Sequence, residues 1–129
     1  MFESRAKVEY HTEWVIAVCD AQLLDYYRWW VKLKTGVTLS KPKHGAHISI
    51  VRGDMETGTW TRNMDGETIT FYYKGDLECH ANYIWLPVWG DDLGKIREKV
   101  GLAKEPGKPF HMTVGPVEMG LRTILERSI

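Results

Sequence analysis

The sequence lacks an excess of charge of either sign and contains very little cysteine. Seventeen basic residues balance seventeen acidic ones, so the chain has no broad cationic field to hold long nucleic acid by counterion release. Its two cysteines, Cys19 and Cys79, are far apart and lack C-x-x-C spacing, so neither a disulfide scaffold nor a zinc site is indicated. These absences favour a small or short ligand over a long duplex.

Long apolar stretches are absent as well. No apolar run approaches the roughly 18 residues of a membrane span. The first residues also lack the apolar segment of a signal peptide. We therefore expect a cytoplasmic protein with no membrane partner.

Length and composition fit one ordinary domain. The 129 residues, 43% hydrophobic and 26% charged, suffice to bury a real core without staples. No linker or low-complexity segment divides the chain, so we expect a single domain spanning 1–129. The sequence carries no feature that sets an oligomeric state.

The first half of the chain predicts a strand, a helix and a second strand. The apolar run 14–19 fits a buried strand, and Asp20 after it is a suitable N-cap. Apolar residues then recur at helical spacing over 21–34, and Gly36 stands where a C-terminal glycine belongs. A loop rich in proline and glycine leads into the strand 47–51.

The second half repeats this order after a polar loop. The expected elements are a surface loop at 53–67, strands at 68–73 and 83–88, a helix capped by Asp91 or Asp92 and ended by Gly101, a strand at 110–114, and a short amphipathic helix at 119–127. The segment between the two middle strands fits either a hairpin connection or an extended ribbon. The result is an α+β arrangement in two similar halves, each with a helix followed by a histidine strand.

Each histidine strand opens with a His-x-Ser/Thr motif. Because successive side chains of a strand point to opposite faces, His47, Ser49 and Val51 are expected on one face of the first strand. His111 and Thr113 share a face of the last strand by the same rule. Both strands therefore offer a histidine and a hydroxyl to one kind of surface.

Two imidazoles across a cleft suit phosphodiester cleavage. One can take a proton from the attacking oxygen while the other gives a proton to the departing oxygen. The hydroxyls of Ser49 and Thr113 can donate to the phosphate oxygens, where negative charge grows in the transition state. This chemistry requires neither a metal nor a cofactor.

Plainer explanations compete with this one. Fourteen of the 129 residues are serine or threonine, so in about one chain in ten two histidines would have a hydroxyl residue at +2 by composition alone. The motif gains weight because both copies open apolar strands after a proline- and glycine-containing loop. A metal pair of His44 with His111 is the other alternative, but no nearby Asp, Glu or Cys completes a tetrahedral set.

The segments HISI and HMTV look like the paired H-x-[ST]-hydrophobic signature of the two-histidine (2H) phosphoesterase superfamily. The resemblance implies a compact bilobal α+β fold, with two pseudo-symmetric halves whose antiparallel-rich sheets flank a central cleft. It also implies hydrolysis of cyclic phosphates or of 2′–5′ and related phosphodiesters. His47, Ser49, His111 and Thr113 would be the catalytic residues.

The compact size, the neutral charge and YHTEW before the first strand are similar to small phage-encoded anti-CBASS nucleases. Those enzymes degrade cyclic oligonucleotide signals of bacterial immunity, which would place this chain in the host cytoplasm. We therefore expect a metal-independent phosphodiesterase acting on cyclic di- or trinucleotides. The alternatives are an RNA-end 2′,3′-cyclic phosphodiesterase acting on short RNA, and a non-catalytic sponge that only binds the nucleotide.

Three further residues are candidates for substrate binding. Arg52 follows the first motif and is able to neutralise a phosphate, although an arginine at a strand end is as often simply solvated. Tyr10 and Trp85 are able to stack on bases, but core or surface packing is at least as common for such rings.

Overall fold

The computed structural model describes residues 1–12, 14–52, 64–80 and 82–117, and in these ranges one seven-stranded antiparallel sheet carries two helices. The elements are β1 Phe2–Tyr10, β2 Trp14–Cys19, α1 Ala21–Thr35, β3 His47–Arg52, β4 Thr68–Tyr73, β5 Glu78–His80, β6 Tyr83–Pro87, α2 Asp91–Lys99 and β7 His111–Pro116. The strand order across the sheet is β4-β1-β2-β3-β7-β6-β5. The predicted helix at 119–127 and most of the predicted loop at 53–67 lie outside the described residues.

The first strand was not predicted. Strand β1 pairs with both β2 and β4, and its buried side chains are Ala6, Val8 and Tyr10. Charged residues stand between them, so the segment alternates as a half-buried strand does although its mean character is polar. The segment after β4 contains the short strand β5, which pairs with β6.

Both helices form where periodicity predicts them, with one difference at a cap. The Asp20 side chain accepts a hydrogen bond from the Gln22 backbone N–H at 2.9 Å and begins α1, and Gly36 ends α1 with φ 76°. The expectation that Asp91 or Asp92 caps α2 is wrong, because Gly90 is the N-cap. No helix in the described ranges is long and apolar enough to cross a membrane.

The Gly90 cap follows from close packing against β4. A Cβ at this position would lie 3.1 Å from the Thr70 carbonyl oxygen, which leaves little room for any side chain. The carboxylate of Asp92 instead accepts a hydrogen bond from the Thr70 backbone N–H at 3.0 Å. The start of α2 is therefore tied to the sheet.

The predicted bilobal fold, with separate sheets flanking a central cleft, is wrong. Strands β3 and β7 pair with each other, so the two halves form one continuous sheet that curves as a half-barrel. Helix α1, which precedes β3, packs against β7, and α2, which precedes β7, packs against β3 and β4. Helix α1 thus covers a strand of the second half, and α2 covers β3 of the first half together with β4, so the halves interlock rather than separate.

One core lies between the helices and one face of the sheet. Ile48 and Met112, at the centre of the sheet, are fully buried in it. The same cluster contains apolar side chains from both helices, namely Leu24, Tyr27, Val31, Leu93 and Ile96, and the C-cap residue Val100 of α2. The helices therefore cover the face to which Ile48 and Met112 point, and the opposite face of β3 and β7 remains open for a cleft.

Candidate active site

The cleft is built on the junction of β3 and β7. The two strands are antiparallel, with Ile48 opposite Met112. Both of these side chains are buried in the core. Because side chains alternate along a strand, the residues on either side of each point to the open face.

Four polar side chains therefore form a rectangle on that face. The antiparallel direction sets His47 alongside Thr113 and Ser49 alongside His111. The two histidines lie on a diagonal, where Cα atoms are separated by roughly 7–8 Å. Each histidine has the hydroxyl of the other motif as its lateral neighbour.

A β-bulge interrupts β3 just beyond this rectangle. Val15 and Ile16 are adjacent on β2, yet their partners on β3 are Val51 and Ser49. The register therefore passes over Ile50, which is the extra residue. Bulges bend a strand and re-aim the side chains that follow.

The bulge changes which side chains share the histidine face. The prediction that Val51 accompanies His47 and Ser49 is wrong, because Val51 is fully buried. Arg52 takes the expected place of Val51 and lines the cleft. A strict alternation of faces would have sent Arg52 to the opposite side.

Strand β7 carries a bulge at the matching position. Ile84 and Trp85 are adjacent on β6, but the register on β7 passes over Val114 between their partners. The burial pattern along β7 is the same as that along β3. Pro116 occupies the place that corresponds to Arg52, so the two strands share their backbone plan but differ in charge.

Each histidine ring is fixed in the same way. The Nδ1 of His47 lies 3.0 Å from the carbonyl oxygen of Gly45, and the Nδ1 of His111 lies 2.9 Å from that of Pro109. A carbonyl oxygen only accepts hydrogen bonds, so each Nδ1 must carry the proton. The Nε2 of each ring is left as the atom that exchanges protons with a ligand.

The surrounding cleft encloses about 530 Å³ and is rich in positive charge. It is lined by Trp14, Pro42, Lys43, His44, His47, Ser49, Arg52, Tyr83, Lys108, His111, Thr113, Gly115 and Pro116. Three of these residues are lysine or arginine and three are histidine, whereas none of the described lining residues is acidic. A chain of zero net charge thus concentrates cations in its cleft, which favours an anionic ligand.

The cleft lowers the pKa of both catalytic candidates below the ordinary value of 6.5. Burial is the main cause of the lowered pKa of His47, and His44 and Arg52 add repulsion between positive charges. Burial also dominates the lowered pKa of His111, with further repulsion from Lys108 and Arg52. Both rings are therefore largely neutral at pH 7 before an anion enters.

Two of the residues predicted to bind substrate lie away from the cleft surface. Tyr10 is 5% exposed and belongs to the core. Trp85 is also buried, and its ring centroid lies 4.2 Å from that of His111. The Trp85 Nε1 donates to Glu78 at 3.2 Å. Trp85 therefore packs against the His111 ring. Neither Tyr10 nor Trp85 is among the described residues that line the cleft.

Sequence reasoning missed several residues that do line the cleft. They are Trp14, Lys43 and Lys108. Tyr83, which alternation puts on the same strand face as Trp85, lines the cleft as well. A signal for the lysines was present, since a lysine adjacent to a proline precedes each histidine motif, Lys43 after Pro42 and Lys108 before Pro109. Trp14 is recognised only from strand register, which aligns it with Arg52.

The geometry around His44 bears on the metal alternative. The His44 ring lies 5.9 Å from the His47 ring and meets it edge-on. It also packs against Trp14, at 4.8 Å between ring centroids. Among the described residues, no three His, Cys, Asp or Glu side chains lie close enough to hold a metal ion.

Comparison with known protein families, curated proteins and solved structures finds no match for this chain. Its function is therefore argued from the chemistry of the cleft.

Proposed function

We propose that the chain is a metal-independent phosphodiesterase in which His47 and His111 act as general base and general acid. The observation that carries the proposal is the matched pair of imidazoles at the β3–β7 junction. Each ring is held through Nδ1 by a backbone carbonyl two residues earlier, and both line a cleft with three cationic side chains. The two His-x-Ser/Thr motifs support a grouping with the 2H phosphoesterases, and the bilobal fold is not part of that support.

The reaction follows from this arrangement. One imidazole removes a proton from a ribose 2′-OH, whose oxygen attacks phosphorus as the bond to the leaving oxygen breaks. The second imidazole, in its protonated form, gives its proton to that leaving oxygen. Ser49 and Thr113 donate hydrogen bonds to the non-bridging oxygens, where charge develops. The product is a 2′,3′-cyclic phosphate, which water then opens with the two histidines in exchanged roles.

The aromatic residues of the cleft support a substrate with more than one base. Trp14 pairs with Arg52 on one side of the cleft, and Tyr83 pairs with Pro116 on the other. These are matching positions of the two half-sites, and Tyr83 is 52% exposed. An aromatic ring at each end offers a stacking surface to each of two bases.

We accordingly propose cyclic di- or trinucleotide immune signals as the substrates. The proposed setting is the cytoplasm, and specifically the host cytoplasm for a phage-encoded protein. Incubation with a panel of cyclic oligonucleotides and 2′,3′-cyclic-phosphate RNA, read by chromatography, tests the proposal. Cleavage of the RNA ends alone would favour RNA-end processing, and nucleotide recovered intact after denaturation would favour a sponge.

Activity should survive exhaustive chelation. The two histidines supply both proton transfers, and the cleft cations offset the charge of the phosphate, so each step has a protein group assigned to it. The measurement is the initial rate before and after dialysis against EDTA, with a control in which the chelator alone is added to the assay. Loss of the rate, restored by zinc or manganese, would contradict the acid–base mechanism.

The pH profile of kcat/KM should be a bell centred below pH 6.5. The active form needs one neutral and one protonated histidine, and kcat/KM reports the free enzyme, in which both pKa values are lowered. A bound phosphate favours imidazolium, so the kcat profile should lie at higher pH than the kcat/KM profile. The two limbs of the bell report pKa values of the coupled histidine pair, so neither limb is assigned to one histidine. Initial rates between pH 4 and 10 provide the check, and a rate that rises steadily to pH 10 would contradict the mechanism.

A further inference from the structure

A buried arginine beneath the sheet makes contacts that the proposed reaction does not use. Arg97 on α2 is 5% exposed, and no other charged side chain is buried among the described residues. Its Nη1 donates to the Ile50 carbonyl oxygen at 3.0 Å, and its Nε donates to the Ala103 carbonyl oxygen at 2.8 Å. Burying a guanidinium is costly unless its donors are hydrogen-bonded, and here two of them bind backbone carbonyls.

The carbonyl that Arg97 binds belongs to the bulge residue of β3. Ile50 is the position that the β2–β3 register passes over, and a bulge leaves its extra residue outside the regular ladder. The hydrogen bond from Arg97 spans 47 residues of sequence and is buried. It therefore fixes the backbone at the point where β3 departs from regular alternation.

Arg52 lies two residues beyond this point and reaches the cleft because of the bulge. Strict alternation would put Arg52 on the core side of the sheet, whereas the observed backbone makes it line the cleft. Its charge acts on both His47 and His111. The backbone at Ile50 thus controls the position of a cation that faces both catalytic candidates.

The second half-site offers an internal comparison. Its bulge lies at Val114, and the strand then continues to Gly115 and Pro116, neither of which is charged. The space beside Gly115 is filled by Leu39, since a Cβ there would lie 3.0 Å from the Leu39 Cβ. The β7 bulge is thus followed by uncharged residues that pack against Leu39, whereas the β3 bulge is followed by a cation and is bound by the buried arginine.

We propose that Arg97 is a positioning residue, which holds the β3 bulge through the Ile50 carbonyl and thereby aims the Arg52 guanidinium at the phosphate. The inference rests on the proposed function for its effect on turnover. Its effect on the histidine rings stands independently of turnover.

The test compares Arg97→Met with Arg52→Gln in the full chain, by NMR titration of the His47 and His111 rings. Withdrawing a cation from an imidazole favours imidazolium and so raises the pKa of that ring. Both variants should therefore raise the pKa of both rings, because the Arg52 charge is removed in one variant and displaced in the other. The remaining cleft residues His44, Lys43 and Lys108 are unchanged in both. In the double variant, Arg97→Met should add nothing to the effect of Arg52→Gln, because a residue that acts through another has no separate effect once its target is removed.

Turnover provides the second readout. Arg97→Met and Arg52→Gln should lower kcat/KM by the same factor, roughly tenfold to a hundredfold for one charged hydrogen bond. Arg97→Lys keeps a donor and should recover part of this loss. It also replaces Arg97→Met in the titration should the methionine variant fail to fold.

The matched control is Leu93→Ala on the same helix. Leu93 is fully buried, so its truncation lowers the unfolding temperature, while the donor and the acceptor of the Arg97–Ile50 hydrogen bond stay in place. Histidine titrations like those of the wild type are expected for this control at a temperature where it is folded. Wild-type titration curves in folded Arg97→Met or Arg97→Lys would overturn the proposal, as would a further shift in the Arg52→Gln background. If the wild type shows no turnover but both variants raise the histidine pKa values as expected, the result would count against the phosphodiesterase function alone.

Discussion

His47→Ala and His111→Ala should each lower kcat by roughly 10²–10⁴-fold, the contribution of one well-placed general acid or base. Each ring is held at Nδ1 by a backbone carbonyl and lines the cleft, so its loss removes one of the two proton transfers. Both rings are only half-buried, so the unfolding temperature should change little. Single-turnover rates and thermal unfolding of each variant provide the measurement.

The double variant His47→Ala/His111→Ala should be little slower than either single variant. Groups that act as a unit in one transition state are strongly non-additive, since removal of one already abolishes the concerted pathway. Tyr26→Ala is the control for removal of a ring, because Tyr26 is exposed on α1 and is not among the described residues that line the cleft. A near-wild-type rate in either catalytic variant would remove that histidine from the mechanism.

Loss of the motif hydroxyls should produce the next largest effect. Ser49→Ala and Thr113→Val should each slow the reaction by tens to hundreds of fold, the order expected when one donor to a developing negative charge is lost. Thr113→Val keeps the branched shape that the strand favours, so the change isolates the hydroxyl. The loss should appear mainly in kcat, because the charge on these oxygens grows as the reaction proceeds.

Conservative exchanges separate the hydrogen bond from the packing. Ser49→Thr and Thr113→Ser retain the donor and should recover much of the lost rate. Thr38→Ala removes a hydroxyl from an exposed position outside the cleft and serves as the matched control. An unchanged rate in both Ser49→Ala and Thr113→Val would mean that these hydroxyls do not reach the phosphate.

Local signals in the sequence were enough to predict the elements that carry the candidate site. The N-cap at Asp20 and the glycine at Gly36 bound α1 as expected. The two His-x-Ser/Thr motifs open β3 and β7. Each of these features depends on a few neighbouring residues, and the four motif residues line one cleft.

What the sequence did not predict depends on contacts between distant segments. The pairing of Ile48 with Met112 joins residues from two halves, and no local pattern distinguishes this single sheet from two separate sheets. The bulge at Ile50 arises from pairing with β2 and is held by Arg97 from α2. Val51 was therefore assigned to the wrong face, and Tyr10 was considered for the ligand although long-range packing buries it.

The interlocking of the two halves also affects the order in which the sheet forms during synthesis. Strand β7 lies between β3 and β6 in the sheet, yet it is the last described strand to leave the ribosome. Helix α1 packs against β7, so this packing forms only after β7 has been synthesised. Pairings between such distant segments make folding slow. Until β7 is inserted, a nascent chain exposes the open edges of two central strands, and such edges are prone to pair with other chains.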